Sequence, residues 1–320
     1  MRRRDLLRLG TGAALATPLI ANAQAAWPNK PVKVIVPFAA GGGTDIVARP
    51  WCELLSRIFG QQFVVENRGG ASGLIGTEAA VRSAPDGYTM LISSNTTTVN
   101  LPLLRPVPYD VKLLEPIARL GDAVTGFVIN PAVGVKTFQE LIDYAKKNPG
   151  KLAFGSSGSG TGPHLRLEML KYRTGIDIMH VPYRGGADSL IDLLANHVQL
   201  MNEPVVNTHV KAGKLNLLNI NHIERSVDFP DVPTLTELGY PNSDAAIWIS
   251  LWCPAGTSAE VKRRLNEEIL KHSKTPEMRE KLRLAGSAPV LQTLEELEAF
   301  RASDTKMMTE LIKAANIKIE

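Results

Sequence analysis

Cysteine is scarce in this 320-residue sequence, in which only Cys52 and Cys253 occur. Two cysteines exclude the dense disulfide framework of a small secreted protein. An exported chain could still pair them, but two buried thiols are the simpler expectation. Long apolar runs are missing too, since after residue 25 no eighteen consecutive residues are apolar. We therefore expect a soluble mature protein without a membrane-spanning helix.

Metal-ligand patterns are absent as well. None of the six histidines stands at a metal-ligand spacing from another histidine or from a cysteine. A structural zinc site normally draws its ligands from closely spaced residues of these types. We therefore expect neither a metal ion nor another cofactor.

Charge of one sign is not in excess once the N-terminus is set aside. The first 25 residues hold four of the 36 basic residues and one of the 32 acidic residues. The remaining 32 basic and 31 acidic residues leave a net charge of +1. Such a chain lacks the electrostatic footprint of a nucleic-acid-binding protein, so we expect no nucleic-acid partner.

The first 25 residues do have the layout of a secretory signal: a basic start, a short apolar middle and an end rich in small residues. The segment is too short to anchor the protein in a membrane. Arg3-Arg4 also fits the twin-arginine export pattern. We expect cleavage after Ala25 or Ala23 and a periplasmic mature protein. An uncleaved amphipathic helix is the alternative.

About 295 residues remain, which is enough for two domains of ordinary size. Strand-like and helix-like segments alternate from "VKVIVPF" onwards and again from "TGFVIN" onwards. The first alternation predicts a sheet of parallel strands covered by helices, and the second alternation predicts a second α/β domain. We expect one domain from residues 26–124 plus 226–320 and a second from residues 125–225, with a hinge at the two crossings.

Helix starts are predicted from capping boxes, in which a threonine and a glutamate three residues later satisfy each other's backbone N–H groups. Such boxes begin at Thr137, Thr234, Thr257 and Thr293. Pro50 lies inside the predicted first helix and predicts a kink or a late start there. One more buried strand is expected within residues 247–256.

Three consecutive glycines follow the first strand in "PFAAGGGTD", and a helix is predicted to begin near Thr44. Helix starts leave N–H groups unpaired and partly positive, and glycine lets a ligand reach them. Residues 37–45, the first loop, are therefore predicted to bind an anion. The loop lacks the Gly-Lys-Ser/Thr of a P-loop, and Ile46 occupies the place of the third glycine of a dinucleotide fingerprint. Asp45 could cap the helix or bind a ligand amine.

A second glycine-rich loop between a strand and a helix occurs in "FGSSGSGTGPHL". Residues 155–164, the second loop, are predicted to face the first loop across a cleft. A nucleophile elbow is not formed, because Ser159 stands where that motif needs a glycine. His164 has no evident acidic partner, so a serine hydrolase is the weaker alternative.

Two further segments are candidates for the same cleft. Tyr183 and Arg184 in "VPYRGG" could close over a ligand and pair with its carboxylate, or they could form an ordinary surface turn. Residues 93–95 end a predicted parallel strand, and ligands of open α/β sheets bind beyond such ends.

Together, several segments resemble one family, the Bug-type extracytoplasmic receptors of tripartite tricarboxylate transporters. They are "PFAAGGGTDIVAR", "VVENRGGASGLIGTEAA", "APDGYTML", "PYDVKLLEPIARLGD", "HVPYRGGADSLIDLL" and "DVPTLTELGYP". The resemblance covers nearly the whole mature chain. It implies a type II periplasmic-binding-protein fold, in which two α/β domains enclose a ligand cleft. It also implies a solute receptor and not an enzyme.

The resemblance further implies which residues contact the ligand, commonly a small carboxylate. They are Phe38, Ala39, Ala40, Gly41, Gly42 and Asp45 on the first loop, Ser157, Gly158, Ser159, Gly160, Thr161 and His164 on the second loop, and Tyr183 and Arg184. The implied partners are this ligand and the membrane components of a tripartite transporter, and we expect a monomer.

Glu203 in "LMNEPV" departs from a simple carboxylate pocket. Its carboxylate is expected near the second domain's part of the cleft, where it would disfavour an anionic group or favour an amine. The competing functions are a secreted small-molecule hydrolase that uses Ser157, Ser159 or His164, and a sensor subunit built on the same binding fold.

Overall fold

The structure is a computed structural model that describes residues 27–241 and 246–319. The predicted signal peptide, residues 1–25, lies outside the described residues. The strands are β1 (Val32–Val36), β2 (Phe63–Asn67), β3 (Thr89–Ser94), β4 (Leu114–Ala123), β5 (Val128–Ile129), β6 (Ala153–Ser156), β7 (Met179–Pro182), β8 (Leu200–Met201), β9 (Asn216–Leu217), β10 (Trp248–Pro254) and β11 (Ser287–Ala288).

Helices follow most of these strands. The α-helices are α1 (Gly43–Phe59), α2 (Leu74–Val81), α3 (Leu101–Leu104), α4 (Phe138–Lys147), α5 (Gly162–Thr174), α6 (Gly186–Leu194), α7 (Asn207–Lys211), α8 (Ala259–Ser273), α9 (Pro276–Leu284) and α10 (Leu294–Ala314). Short 3-10 segments span Ala71–Gly73, Val111–Leu113, Pro131–Val133 and Pro204–Val206, and a π-helical segment spans Thr96–Asn100. No helix in the described ranges combines the length and the hydropathy that a bilayer crossing needs.

The first sheet has six strands in the order β11-β4-β10-β3-β1-β2. Strand β1 runs parallel to β2 and β3, which confirms the βαβαβ pattern predicted for this segment. Strand β10, the buried strand expected within residues 247–256, runs antiparallel to both β3 and β4. Every residue of β10 is buried, because it lies in the middle of the sheet and is covered on both faces.

The second sheet has five strands in the order β7-β6-β8-β5-β9. Strand β6 is parallel to β7 and β8, whereas β5 is antiparallel to β8 and β9. The carboxyl ends of β1 and β3 in the first sheet and of β6 in the second therefore lead into the loops that the sequence singled out.

Apolar faces of the helices cover both sheets. On the first sheet, Trp51 of α1 is fully buried, and its Nε1 donates to the carbonyl of Leu120 at 3.1 Å. The opposite face of that sheet holds Trp248 and Trp252 against Met308 of α10. Aromatic side chains of this size make the largest contributions to core burial, so the first sheet is a rigid base for the first loop.

The boundaries between the two domains remain a prediction. The packing of residues after 225 suggests a later end for the second domain. Leu235 and Tyr240 pack into the hydrophobic cluster on the second sheet, beyond the predicted boundary at residue 225. Residues Phe229 and Val232 pack on the other face of the same sheet. We therefore propose that the second domain extends at least to Tyr240.

Helix starts follow the predicted capping boxes in two of four places. Thr137 and Thr293 each form the reciprocal pair of hydrogen bonds. The box at Thr234 forms its hydrogen bonds, but a turn follows it and no α-helix. The prediction of a capping box at Thr257 was wrong. The Oγ1 of Thr257 donates to the carbonyl of Pro254 at 2.7 Å, and Ser258 takes the N-cap position of α8.

Pro50 does not delay α1, which begins at Gly43 and runs through the proline. A proline inside a helix removes one backbone hydrogen bond. The buried face of α1, which includes Val47, Trp51 and Leu55, holds the helix against the sheet on both sides of the proline. The expectation of a late start was therefore wrong.

Candidate functional site

A small cavity lies between the two sheets where the two glycine-rich loops meet. About 40 Å³ of it is open to the centre of a water-sized sphere. Its lining consists of Phe38, Gly42, Gly43, Thr44, Ser94, Thr96, Ala123, Ser157, Pro163, Gly186, Glu203, Pro204, Ile247 and Ile249. The lining combines residues from both sides, so the two sheets and their loops share this cavity.

The first loop presents the N-terminus of α1 to this cavity. Gly42 takes the N-cap position and makes no side-chain cap bond, because it has no side chain. In the described part of the chain, no hydrogen bond is made by the N–H groups of Gly43 and Thr44, and both residues line the cavity. Unpaired N–H groups at the positive end of a 17-residue helix form a seat for an anion.

Asp45 lies behind the first loop and does not belong to the cavity lining. Its Oδ2 accepts from the backbone N–H of Gly41 and from Nε of Arg49, both at 2.8 Å. Its Oδ1 accepts from Nη2 of Arg49 at 3.0 Å and from Nδ2 of Asn67 at 2.9 Å. Burial acts to raise the pKa of Asp45, but these hydrogen bonds outweigh it and hold the pKa below its usual value. The carboxylate fixes the shape of the loop and has no acceptor left for a ligand amine.

Glycines bring the two halves of the protein into direct contact around the cavity. A Cβ on Gly43 would lie 3.2 Å from Cδ of Pro204, and a Cβ on Gly185 would lie 2.8 Å from Cβ of Ala39. A Cβ on Gly158 would lie 2.5 Å from Oγ of Ser72. Distances below 3.0 Å are not seen for real Cβ atoms. The close approach of the other half of the protein thus excludes a Cβ at Gly158 and Gly185 and leaves little room for one at Gly43.

The second loop contributes two residues to the cavity lining, Ser157 and Pro163. Thr161 takes the N-cap position of α5, but its Oγ1 donates back to the carbonyl of Gly158 at 2.7 Å. The N–H of Gly162 donates to Oγ1 of Thr96 at 3.2 Å, which links the second loop to the first sheet. Ser159 and Gly160 belong to the loop but not to the cavity lining.

His164 is a packed side chain of the second loop. Its Nδ1 accepts from the N–H of Gly160 at 2.9 Å, and its ring stacks on His180 with 3.7 Å between centroids. The Nε2 of His180 lies 2.6 Å from Oγ of Ser156. Burial lowers the pKa of His164 to about 4 and that of His180 to about 3, so both rings are neutral near pH 7.

Tyr183 and Arg184 lie outside the cavity lining. The hydroxyl of Tyr183 donates to Oδ2 of Asp192 at 2.6 Å, which directs it along α6 and away from the first loop. Arg184 is exposed. Of the predicted ligand contacts, the cavity lining contains Phe38, Gly42 and Ser157.

Glu203 is the acidic side chain in the cavity lining. It is only 5% exposed, and its Oε1 accepts from the N–H of Ser157 at 2.9 Å. A Cβ on Gly186 would lie 1.9 Å from its Oε2, so the carboxylate lies against the first residue of α6. Burial raises the pKa of Glu203 to about 7, although hydrogen bonds from Ser157 partly oppose the shift.

Several lining residues had only indirect signals in the sequence. Ser94 falls within residues 93–95, which were predicted to border the cleft because they end a strand. Gly186 is marked by the glycine pair at the start of α6. Ile247 and Ile249 come from the antiparallel strand β10 and its approach, and no local pattern connects them with loops more than 80 residues away.

A second cavity of about 460 Å³ lies between residues 222–228 and the segment from α9 to β11. Two of the three arginines in its lining are already engaged, since Arg225 pairs with Glu237 and Arg283 pairs with Glu280. Neither glycine-rich loop borders this larger cavity, so the smaller one is the candidate ligand site. No group of three or more His, Cys, Asp or Glu side chains in the described ranges is placed to hold a metal ion. Both cysteines are buried free thiols.

Comparisons with known proteins agree with this architecture. Residues 47–317 match the family described as tripartite tricarboxylate transporter family receptor. The protein BugT of Bordetella pertussis is 35% identical over 313 residues, which cover 96% of this chain and 95% of BugT.

Solved structures give the same result. The periplasmic binding protein BugD aligns with a TM-score of 0.86 at 31% identity, covering 92% of this chain and 100% of that chain. Rpa4515 of R. palustris, solved with adipate, aligns with a TM-score of 0.88 at 29% identity, covering 91% and 99%. The predicted two-domain α/β periplasmic-binding-protein fold is thereby confirmed. The chain belongs to the tripartite tricarboxylate transporter receptor family, whose members are solute-binding receptors and not enzymes.

Proposed function

We propose that this receptor captures a small carboxylate-containing ligand between its two sheets and delivers it, as a periplasmic monomer, to the membrane components of a tripartite transporter. The observation that carries the proposal is the N-terminus of α1, where the N–H groups of Gly43 and Thr44 border the cavity without a protein partner. Charge-assisted hydrogen bonds of this kind contribute about 1.5–3 kcal/mol each. The relatives support it, since one of them was solved with adipate.

A thermal-shift screen of the purified mature protein against small carboxylates, amino acids and aromatic acids tests the proposal. A ligand at 100 times its dissociation constant adds about 2.7 kcal/mol of stability, which raises the melting temperature of a protein of this size by several degrees. The absence of any shift, together with calorimetry that detects no binding, would overturn the proposed ligand class.

The first loop can be tested against the second with two variants. A Cβ on Gly42 would lie 3.2 Å from the carbonyl oxygen of Ala39 and 3.8 Å from the N–H nitrogen of Gly186, so Gly42→Val fills the approach to the N-terminus of α1. The variant Ser157→Ala keeps the backbone N–H that contacts Glu203. We expect Gly42→Val to weaken binding more than Ser157→Ala, and equal affinity of Gly42→Val and wild type would remove the first loop from the site.

Delivery to the periplasm follows from the proposed signal peptide. We expect N-terminal sequencing of the exported protein to begin at Ala26 or Gln24. A mature protein that retains Met1 would favour the uncleaved helix.

The hydrolase alternative is not favoured by any contact around the cavity. His164 and His180 are buried neutral rings that contact Gly160 and Ser156, and neither of them belongs to the cavity lining beside Ser157. A sensor role uses the same binding site, and pull-down of the membrane partner distinguishes it from transport.

A further inference from the structure

Glu203 brings a carboxylate to the cavity without a counter-ion. Its side chain is 5% exposed and belongs to the cavity lining. Among the described residues, no charged side chain acts on this carboxylate, which is stabilised by hydrogen bonds from Ser157 alone. Buried charges in proteins are normally paired. Such a group either holds a proton or pairs with a cation that comes from outside the protein.

The same carboxylate fills the anion seat on the second side of the cleft. The backbone N–H of Ser157 donates to Oε1 at 2.9 Å. At the start of α6, Gly185 is an N-cap without a side-chain cap bond, and Oε2 lies so close to Gly186 that a Cβ there would be 1.9 Å away. One donor that could hold a distal carboxylate of a ligand, the N–H of Ser157, is thus occupied by the protein's own side chain, and a second anion beside this carboxylate would be repelled.

The first side of the cleft differs, because its donors have no acceptor. The N–H groups of Gly43 and Thr44 border the cavity without a partner in the described part of the chain. Charged groups on neighbouring elements have other partners or lie in solvent. Asp45 on α1 is held by Arg49, and the buried Arg166 on α5 donates to Oδ1 of Asn202 at 2.8 Å. Glu168 on α5 accepts from Lys171 at 3.0 Å and lies 3.7 Å from Nε2 of His164, and Asp188 in the first turn of α6 is exposed. His164 and His180 are neutral rings stacked on each other.

We propose that Glu203 selects a small ligand that carries one carboxylate and one protonated amine, and that it excludes dicarboxylates. The ligand's carboxylate binds the N-terminus of α1, and its ammonium group donates to Glu203. An ammonium group offers three donors and supplies the charge that the buried carboxylate lacks. This inference rests on the proposed function, because it assigns the ligand class of the same site.

Calorimetry with matched pairs of ligands tests the selection. β-Alanine and succinate share one carboxylate and a two-carbon spacer. The other end of β-alanine is an ammonium group, whereas the other end of succinate is a second carboxylate. Propionate is the control, because it has no charged group at that end. 4-Aminobutyrate with glutarate, and L-alanine, extend the series in length and in position of the amine. We expect at least one aminocarboxylate to bind wild type tenfold or more tightly than its dicarboxylate and monocarboxylate counterparts.

Two variants at Glu203 and one control separate the possible outcomes. Glu203→Gln keeps an acceptor oxygen for the N–H of Ser157 and removes the charge, and it should weaken aminocarboxylate binding about 10- to 100-fold. Glu203→Leu removes both the charge and the polar group. If Glu203→Gln folds poorly, Glu203→Leu takes its place in the test and should weaken aminocarboxylate binding to the same extent. Asp188→Asn removes an exposed charge on α6 and should bind as wild type does.

Tight binding of a dicarboxylate to wild type, with affinity unchanged in Glu203→Gln, would overturn the inference and leave the proposed function intact. Dicarboxylate binding that takes up a proton in paired-buffer calorimetry would also overturn it, because Glu203 would then donate as a neutral acid. If no carboxylate of any class binds wild type, the proposed function fails and the inference fails with it.

Discussion

Two buried carboxylates flank the cleft, one on each side, and their surroundings are opposite. Asp45 is 1% exposed and is surrounded by one cation and two neutral donors, which together lower its pKa. Glu203 is 5% exposed and has hydrogen bonds from Ser157 alone, and its pKa rises to about 7. A buried carboxylate that the protein itself pairs with a cation and with hydrogen-bond donors, as at Asp45, stabilises the fold. A buried carboxylate without a paired charge, as at Glu203, marks a place where a ligand can supply that charge.

The largest expected effect is the pH dependence that Glu203 gives to the unfolding free energy. The folded pKa of Glu203, about 7, exceeds its ordinary value of 4.5, so between these values the folded protein holds a proton that the unfolded chain has released. Stability from this group is therefore fully present below pH 4.5 and is lost as pH rises through 7. Relative to Glu203→Gln, the unfolding free energy of wild type should fall by about 3 kcal/mol between pH 4.5 and 8.

Urea unfolding of both proteins across this range measures the difference. His164 and His180 have lowered pKa values, so their contribution is present above pH 6.5 and is lost as pH falls towards 4 and 3. Both proteins share that contribution, so it cancels. A difference that stays flat from pH 4.5 to 8 would mean that the surroundings of Glu203 resemble those of Asp45.

Replacement of Asp45 should have the opposite sign from replacement of Glu203. In Asp45→Ala, the N–H of Gly41 and the amide of Asn67 lose their acceptor, and Arg49 loses its partner. The Arg49 side chain is 54% exposed, so water replaces part of that pair. We expect a loss of about 2 kcal/mol in the unfolding free energy at pH 8, whereas Glu203→Gln should gain stability there. The exposed residue Asp188 provides the control, and equal losses for Asp45→Ala and Asp188→Ala would remove Asp45 from the loop's support.

How far the sequence predicted these features depended on how local they were. The first loop was predicted because strand, glycines and helix start are adjacent in the sequence. The burial of Glu203 against Gly186 depends on a contact between α6 and the segment after β8, and a one-dimensional pattern carries no such distance. Asp45 was predicted to cap the helix or bind a ligand amine because it is acidic at a helix start, whereas its partner Asn67 lies 22 residues away in the chain.

The same limit applied to the fold. The parallel order of β1, β2 and β3 follows from the alternation of strands and helices. The place of β10 between β3 and β4 does not, because its partners are more than 120 residues away in the chain. Strand β4 itself was not predicted.

Smaller effects should come from the surfaces on which the two sides meet. Gly185 has φ −176°, an extended conformation that any residue can adopt, so Gly185→Ala tests only the contact with Ala39. The added Cβ would lie 2.8 Å from Cβ of Ala39. We expect ligand affinity to fall about tenfold, as for moderate overpacking. Removal of the opposing methyl group in the double variant with Ala39→Gly should restore most of it.

Calorimetry with the ligand identified in the screen measures both variants. Wild-type affinity in Gly185→Ala would show that the two sides do not meet here when ligand is bound. A loss that Ala39→Gly does not rescue would place the strain within the second sheet.

The smallest effect is expected for the two thiols, which extend the comparison to buried groups that stay neutral. Burial raises the pKa of Cys52 to about 12 and that of Cys253 to about 11. The thiolate is the reactive species, so neither thiol should react with a disulfide reagent in the native protein at pH 8. A reducing agent should leave the melting temperature unchanged, whereas a fall would indicate the disulfide that an exported chain could form.

The facing glycines have a consequence for the entropy of closure. Immobilising a long side chain costs up to about 1.5–2 kcal/mol, whereas glycine and alanine lose almost no rotamer freedom. Where Gly43, Gly185 and Ala39 meet the opposite side, there is little side-chain motion left to freeze. When a small ligand binds, the entropic cost of closure then comes mainly from ordering the hinge. A substitution at Glu203 can change which ligand is bound without changing the surfaces that close over it.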